Sequence, residues 1–385
     1  MSVESVVAEC REWILDPEFR RLRALTEESP PRRLVGCFPV YTPEEIVMAC
    51  GMVPVHLYGA GGLVEIDHAD SRMQSFVCSI SRSTLELGLT GRLDMLEGML
   101  FPSICDVSRN LSGLWQRNFP GRIAEFVHLP ENVESPHAVT YLRSDFERLA
   151  GILSERSGVR PDDRAYHAAF DLLNRRRVLV DEVYALRAER PWDMPLPDVY
   201  AVLRAGGLMP RERHLPMLAE ALAGWRAASR RRPDRIRVLV EGSFCEQPPL
   251  ELLQTLEESG CFVVNDDFLL GERWHREPLP MEGDPLLALA RHFLTRCVPS
   301  AVHHPGAKGR AEALLAKVDA CRADGVIFCM AKFCEPALYD YPLLARALDA
   351  RGVPHLAFEF EEKMGLFESI RTQIETFVES ILLFS

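Results

Sequence analysis

Short apolar runs alternate with longer amphipathic stretches along most of the chain. A continuous apolar run bounded by glycine, proline or charged residues is typical of a strand that is covered on both faces. In the intervening stretches the apolar residues recur with helical spacing. This alternation predicts parallel, doubly wound α/β sheets with helices on both faces.

The first α/β domain is predicted to span residues 1–140. Thr42 is the expected N-cap of its second helix, with Pro43 in the first turn and Glu45 at the capping-box position. The predicted strands cover 33–39, 53–57, 98–102 and 124–129, and the predicted helices cover 1–30, 42–51, 71–89 and 106–119.

Strand signals disappear in the segment 141–233, which is predicted to be a helical connector. Proline-rich breaks separate its helices, and the basic run 226–235 is interpreted as a solvated helix end and linker. The predicted helices cover 142–156, 162–190, 197–205 and 213–230.

A second alternating unit predicts another α/β domain over residues 234–385. Its predicted strands cover 235–240, 261–264, 325–330 and 354–358, with an acidic turn at 265–267, and its helices cover 249–259, 285–296, 309–322, 341–348 and 366–383. The predicted fold class is therefore α/β, with two flavodoxin-like or Rossmann-like doubly wound domains joined by a helical connector. Ligands of such sheets bind at the carboxyl ends of the strands, so we expect the site in a cleft between the two halves.

The composition is that of an ordinary globular protein, with 47% hydrophobic and 26% charged residues in a chain of 385. A net charge of −12 argues against nucleic acid and anionic membranes as partners. No apolar run approaches the roughly 20 residues that span a bilayer. The N-terminus has no basic region followed by an apolar one, so it does not resemble a signal peptide. These features predict a cytoplasmic protein without a membrane or nucleic-acid partner.

The chain contains eleven cysteines, and none of them forms a CxxC pair. A reducing compartment disfavours disulfides, so metal ligands would have to come from separate elements that the fold brings together. Cys37 and Cys245 remain undecided at this point. A core position is predicted for the cysteines on amphipathic helices or inside apolar strands, namely Cys10, Cys50, Cys261, Cys297, Cys321 and Cys329.

Three other cysteines have polar surroundings and are candidates for a metal site. Cys105 lies in a strand-to-helix turn, where the helix N-terminus favours a thiolate. Cys334 occupies the same kind of turn in the second half, with Lys332 nearby. Cys78 is predicted to lie on a helix beside a serine-rich polar run, 79–83.

Several long motifs carry a family resemblance. They are YTPEEIVMACGMVPV (41–55), SFVCSISRSTLELGLTGRLDMLEGMLFPSICDVSRNLSGLW (75–115), GVIFCMAKFCEPALYDYPLLARALDARGVPHL (325–356) and IRTQIETF (370–377). The chain resembles the benzoyl-CoA reductase / 2-hydroxyacyl-CoA dehydratase family. The middle block is most similar to the gamma, or C, subunits of ATP-dependent class I benzoyl-CoA reductases.

The resemblance implies a [4Fe–4S] cluster. The cluster ligands of the family fall in the CSISRS-like, PSICD-like and KFC-like motifs, and they correspond here to Cys78, Cys105 and Cys334. Some relatives carry a further cysteine in the strand before the YTPEE-like segment, where this chain has Pro39. Cys37 lies two residues earlier, so the fourth ligand stays open.

The resemblance also implies a heteromeric enzyme that acts on an aromatic acyl-CoA. A homologous iron–sulfur subunit would be one partner, and an ATP-hydrolysing activator would supply low-potential electrons that reduce the aromatic ring to a cyclic diene thioester. ATP would act only through the partner subunits. Two alternatives remain: a 2-hydroxyacyl-CoA dehydratase subunit, which recycles one electron through a ketyl radical, and a structural or electron-relay subunit.

No catalytic residue is assigned from the sequence. Arg82 and Lys332 are candidates to hold charge near the cluster or the thioester, with an ordinary ion pair as the alternative. Asp106 and Glu335, each next to a proposed ligand, are candidates to orient the turns or simply to cap the helices. The glycines at 59–62 do not make a GxGxxG motif, which disfavours a nucleotide-binding Rossmann protein.

Overall fold

Two four-stranded parallel sheets form the framework of the protein, in a computed structural model that describes residues 2–268, 277–303, 309–364 and 367–384. The strands are β1 (Leu34–Cys37), β2 (Val53–His56), β3 (Leu96–Pro102), β4 (Ile123–Val127), β5 (Ile236–Glu241), β6 (Cys261–Asp266), β7 (Gly325–Ala331) and β8 (His355–Phe360). The helices are α1 (Val3–Ile14), α2 (Arg20–Thr26), α3 (Glu44–Ala49), α4 (Ser79–Leu89), α5 (Asp106–Asn118), α6 (Ala138–Ser157), α7 (Asp163–Glu189), α8 (Leu196–Leu208), α9 (Arg211–Ala227), α10 (Leu250–Glu258), α11 (Pro285–Thr295), α12 (Arg310–Cys321), α13 (Glu335–Arg351) and α14 (Glu368–Phe384).

The two sheets have the same topology. The first has the order β2-β1-β3-β4 and the second has the order β6-β5-β7-β8, and every strand pair is parallel. The predicted fold class, with two doubly wound parallel sheets, is confirmed. The chain reverses its direction of winding between β1 and β3, and again between β5 and β7. Ligands bind at the carboxyl ends of the strands at such switch points.

The apolar runs of the sequence became strands because helices cover both faces of each sheet. Every residue of β7 is buried, as is every residue of β1. The edge strand β8 is only partly buried and carries an exposed Glu359. Burial on both faces explains why the central strands lack the alternation of hydrophobic and polar residues that is typical of a sheet with one solvent-exposed face.

Helices α6–α9 occupy the segment between the two sheets, and α7 contacts both α3 and β6. Buried ion pairs join this segment to the first half. Arg177 on α7 donates to Glu45 at 2.6 Å, and Arg211 on α9 donates to Glu44 at 2.7 Å. Helix α7 spans 27 residues, but no helix within the described ranges is long and apolar enough to cross a membrane.

Two predictions near the N-terminus are wrong. The predicted helix 1–30 is interrupted between α1 and α2, because the side chain of Asp16 accepts hydrogen bonds from the backbone N–H groups of Glu18 and Arg20 at 3.1 and 2.8 Å. The capping box at Thr42 is absent. Helix α3 begins one residue later, and the Glu45 carboxylate pairs with an arginine instead of turning back to the N-cap.

Three boundaries further along also differ from the prediction. Helix α4 begins at Ser79 instead of residue 71, and turns precede it. Helix α13 begins at Glu335 instead of residue 341, because Pro336 fits the first turn, where no donor is needed. Strand β6 includes Asp266, whose buried carboxylate accepts from Tyr184 at 2.6 Å. The predicted start of the last helix, residue 366, lies outside the described residues.

Candidate functional site

The three cysteines singled out by the sequence share one structural position. Cys78 is the N-cap residue of α4, Cys105 is that of α5, and Cys334 is that of α13. A helix N-terminus presents unpaired N–H groups and the positive end of the helix dipole. Both features stabilise a thiolate or another anionic group. The prediction that placed Cys78 within a helix is therefore wrong, because α4 begins only at Ser79.

Cys105 and Cys334 occupy equivalent places in the two sheets. Each lies three residues after the end of the third strand in its half, β3 or β7, and each directly precedes a helix. Both strands lie beside the switch point of their sheet. The carboxyl ends of the two sheets thus each contribute one cysteine.

Tight turns orient both of these thiols. Phe333, directly before Cys334, has a φ of 64° in the left-handed region, which costs a residue other than glycine about 1 kcal/mol or more. The Cys334 N–H donates to Ala331 O at 3.1 Å. In the other half, the Ser108 N–H donates to the sulfur of Cys105 at 3.4 Å. These bonds close the turns and fix the directions in which the thiols leave the backbone.

Cys105 and Cys334 each lie within electrostatic reach of Cys78. Burial raises the pKa of the Cys78 thiol, and negative charge on Cys334, Glu246 or Cys105 raises it further. Cys78 and Cys105 belong to the first half, whereas Cys334 belongs to the second. The fold therefore brings together the cysteines that sequence spacing keeps apart.

The N-termini of α5 and α13 are also close to each other. Burial raises the pKa of Cys105, and the charges of Asp106 and of Glu335 raise it further. Glu335 is the first residue of α13, so its influence on Cys105 reaches across the boundary between the halves. Both carboxylates lie in a first helical turn, where the helix dipole stabilises them.

The three side chains are of the donor type that an iron–sulfur cluster requires, because such clusters are held by cysteine thiolates. Among the residues that the structure describes, no three His, Cys, Asp or Glu side chains converge tightly enough to hold one metal ion. A cubane binds each thiolate to a different iron atom, so its ligands are spaced more widely. Burial raises the pKa of Cys78 and of Cys105, and a bound cation would favour their thiolates.

Known proteins resemble the chain over almost all of its length. The family model described as "2-hydroxyglutaryl-CoA dehydratase, D-component" matches residues 39–381. The chain belongs to this family. It is 39% identical to the C subunit of benzoyl-CoA reductase from Thauera aromatica, with 100% of both chains covered.

Dehydratase subunits are relatives as well. The chain is 30% identical to the lactoyl-CoA dehydratase beta subunit of Anaerotignum propionicum, with 90% of this chain and 91% of the relative covered. It is 28% identical to the beta subunit of (R)-2-hydroxyglutaryl-CoA dehydratase from Acidaminococcus fermentans, with 91% and 93% covered. The resemblance drawn from the sequence motifs is confirmed, and these members of the family are subunits of acyl-CoA reductases and dehydratases.

The fourth ligand, which the resemblance left open around Pro39 and Cys37, stays a prediction. Cys37 is buried beside Thr42 and Glu44, and its burial raises the pKa of its thiol to about 12. The thiol of Cys245, which comes from the second half, donates to Pro39 O at 3.8 Å. The structure thus places Cys245 at the boundary between the halves, a position that its sequence surroundings did not reveal.

The two candidate cations both take part in ion pairs. Arg82 donates to Asp70 at 3.1 Å, and Lys332 donates to Glu361 at 2.5 Å. Hydrogen bonding to Glu361 raises the pKa of Lys332, whereas the charge of Arg82 lowers it. The two cations are therefore near each other, on segments that carry Cys78 and Cys334. A role for them toward a substrate stays a prediction.

Sequence reasoning missed two buried carboxyl groups near the N-terminal part of α4. Glu246 follows β5 and Glu362 follows β8, so both lie beyond the carboxyl end of the second sheet. Burial raises the pKa of Glu246 to about 8, with the charge of Glu362 adding to the effect, and burial raises the pKa of Glu362 to about 7. The signal that could have found them is the one that identified Cys334: a polar side chain just after an apolar strand.

Proposed function

We propose that the chain is the iron–sulfur subunit of an ATP-dependent aryl-CoA reductase that acts on benzoyl-CoA or a close aromatic acyl-CoA. One observation carries the proposal: Cys78, Cys105 and Cys334 each lie at the N-cap of a helix, and Cys105 and Cys334 both lie within electrostatic reach of Cys78. These three residues would hold a [4Fe–4S] cluster. When bound, such a cluster supplies one-electron transfer at low potential.

The surrounding residues would tune the site. Hydrogen bonds to the ligating sulfurs and exclusion of water both affect cluster potential. The Ser108 N–H donates to Cys105, and the hydroxyl of Ser81 lies 3.2 Å from the sulfur of Cys78. Cys334 is buried, whereas Cys78 and Cys105 are half-buried. A partner subunit would cover the half-buried edge of the site.

The subunit would function in a cytoplasmic, oxygen-free complex. Its partners would be a homologous iron–sulfur subunit and an ATP-hydrolysing activator that delivers low-potential electrons, with ATP acting only there. The relatives support a heteromer, since each of them is named as one subunit of an enzyme. In this reduction the aromatic thioester gains two electrons from the activator and two protons from water, which gives the cyclic diene thioester.

The second candidate is a 2-hydroxyacyl-CoA dehydratase subunit, which the names of the relatives at 28–30% identity support. The greater identity to the reductase subunit, 39% over the full chain, favours the reductase. The two chemistries differ in their use of electrons. A reductase consumes electrons in every turnover, whereas a dehydratase recycles one electron after priming.

ATP consumption distinguishes these functions. We expect the anaerobic complex, supplied with activator, ATP, dithionite and benzoyl-CoA, to form a cyclic diene thioester and to hydrolyse ATP in proportion to product. The measurement is product by chromatography and ADP in the same samples. Turnover of a 2-hydroxyacyl-CoA with only catalytic ATP would assign the chain to the dehydratases instead. Absence of both activities would contradict the proposal.

A basic groove next to the cysteines supports an anionic substrate. The groove offers about 420 Å³ and is lined by Arg72, Arg109 and Arg117, together with the apolar residues Val77 and Leu114. Arg109 lies one helical turn after Cys105 on α5. In a chain of net charge −12, a groove with three arginines is suited to the phosphate groups of coenzyme A, which arginine binds in bidentate fashion.

Reversing one of these charges should weaken substrate binding. We expect Arg117→Glu to raise the KM for benzoyl-CoA about tenfold with little change in kcat, since a charge-assisted contact contributes about 1.5 kcal/mol or more. Steady-state kinetics of the assembled complex measure both constants. The matched control is Arg231→Glu, which makes the same charge change at an exposed position of the linker. An unchanged KM in Arg117→Glu would show that the groove is not part of the substrate site.

A further inference from the structure

The first turn of α4 receives its cap from the other half of the protein. Its own N-cap residue, Cys78, makes no side-chain hydrogen bond to the helix backbone. Instead, one oxygen of Glu246 accepts from the Ile80 N–H at 3.1 Å, and the other accepts from the Ser79 hydroxyl at 2.6 Å. A carboxylate that accepts from a first-turn N–H replaces an N-cap side chain, which is worth about 1 kcal/mol.

Glu362 contacts the same turn through its backbone. The Glu362 N–H lies 3.4 Å from the Ser79 hydroxyl oxygen and donates to it. The side chain of Glu362 fills the space left by the glycine loop 59–62. A Cβ on Gly59 would come within 1.7 Å of its Oε1, and one on Gly62 within 2.5 Å of its backbone oxygen. The glycines that form no nucleotide-binding motif therefore make room for this glutamate.

Both glutamates extend from the sheet that carries Cys334. Glu246 follows β5 and Glu362 follows β8, and these are the two neighbours of β7, which leads to Cys334. Helix α4 and Cys78 belong to the first half. The contacts to Ser79 and Ile80 thus join the two halves of the protein. This is the same boundary that separates Cys78 and Cys105 from Cys334.

We propose that Glu246 is a positioning residue that, together with the backbone N–H of Glu362, holds the first turn of α4 against the second sheet and thereby fixes the Cys78 sulfur relative to Cys334. This inference rests on the proposed function, in which the two cysteines bind one cluster. Neither glutamate needs to touch the substrate in this role. The effect is transmitted through Ser79 and Ile80, which directly follow Cys78.

Two substitutions at Glu246 separate geometry from charge. Glu246→Ala removes both hydrogen bonds, whereas Glu246→Gln removes the ionisable group but keeps an oxygen that can accept from the Ile80 N–H. A charge effect on the Cys78 thiol would appear equally in both variants. A positioning effect would appear in the alanine variant and be largely restored by glutamine.

Glu257→Ala is the matched control. Glu257 is a half-buried residue that also caps a helix from a distant segment. Its Oε1 accepts from the N–H of Leu196, the first residue of α8, at 3.0 Å. Burial likewise raises its pKa, to about 7. The residue directly before α8 is Pro195, so no cysteine caps this helix. The control therefore reproduces the loss of a cap without touching the cysteine site.

The first readout needs no metal. In the complex treated anaerobically with a chelator, the rate of Cys78 alkylation by iodoacetamide is followed by mass spectrometry of the Cys78 peptide. We expect Glu246→Ala to accelerate this labelling about tenfold, because the first turn opens more often without its cap. Glu246→Gln should stay within about threefold of wild type, and Glu257→Ala should not change the rate at Cys78.

The second readout is the EPR spectrum of the dithionite-reduced complex. We expect shifted g values or a shifted midpoint potential in Glu246→Ala, and wild-type values in Glu246→Gln and Glu257→Ala. Labelling of Cys78 that is unchanged in Glu246→Ala, or equally fast in Glu246→Gln, would overturn the positioning role. A wild-type complex without iron would overturn the proposed function alone, since the labelling result would still decide the role of Glu246.

Discussion

Replacing Cys334 with alanine is expected to remove about four irons and four sulfides per copy of this subunit and to lower aryl-CoA reduction at least about 100-fold. Cys334 is the only one of the three proposed ligands in the second half, so its loss removes the bridge between the two sheets at the site. Iron and sulfide analysis of the anaerobically purified complex gives the first quantity, and the product assay gives the second.

Cys321→Ala is the control for this change. The Cys321 side chain is 6% exposed and that of Cys334 is 7% exposed, and both lie in the second half. Each substitution removes one buried sulfur and should therefore cost a similar amount of packing energy. We expect Cys321→Ala to keep its full complement of iron. Equal iron in the two variants would show that Cys334 is not a ligand.

A second large effect is expected from Arg310→Met, which should destabilise the second half by about 3–5 kcal/mol. The buried guanidinium of Arg310 donates to Glu241 at 2.9 Å and to Asp340 at 2.8 Å, and it lies 3.4 Å from Asp267. Methionine would fill the volume but take away the cation that these three carboxylates share. Glu241 would keep its contact with Lys317, at 2.8 Å.

The same substitution should also affect the loop that leads to the site. Asp267 accepts from the backbone N–H groups of Gly242 and Ser243 at 2.9 and 3.3 Å. These residues begin the loop that carries Glu246. Chemical denaturation of the complex monitors stability, and proteolysis in the 242–247 loop monitors its local opening.

The pH dependence of the Arg310→Met effect follows from the sign of the pKa shift. Burial raises the pKa of Glu241, but Lys317 and Arg310 outweigh burial and lower it to about 2. A carboxylate with a lowered folded-state pKa stabilises the protein above the unfolded pKa and loses this contribution as the pH falls. The difference in the free energy of unfolding between wild type and Arg310→Met should therefore become smaller as the pH falls from about 5 toward 2.

Arg351→Met provides the comparison at the surface. Arg351 pairs with Asp319 at 3.2 Å in the same half, but both side chains are more than half exposed. Exposed pairs contribute about 0–1 kcal/mol, because water screens them. If Arg310→Met and Arg351→Met lowered the free energy of unfolding by similar amounts, burial of the Arg310 network would not be what stabilises the second half.

Much of the fold could be predicted because its signals are local. The apolar runs at 325–330 and 98–102 became the buried strands β7 and β3. The turn after β3 placed Cys105 correctly at a helix N-terminus. The turn after β7 was also predicted, but the helix that follows Cys334 begins at Glu335 instead of residue 341. A short window of sequence contains both the strand and the turn.

The misplaced elements depend on partners that are far away along the chain. Helix α4 begins where Glu246 supplies a cap to Ile80 from 166 residues away, which no local rule can anticipate. The capping box at Thr42 failed because Glu45 pairs with Arg177, 132 residues distant. The role of Cys78 and of the two buried glutamates thus depends on how the halves meet.

The most direct test of the three-cysteine site is the EPR spectrum of the dithionite-reduced complex, purified without oxygen, in which Cys78, Cys105 and Cys334 are each replaced by alanine in turn. If the three residues bind one [4Fe–4S] cluster, the same signal must disappear in every variant, while the signal of the homologous partner remains. Survival of this chain's signal in any of the three variants would contradict the shared site.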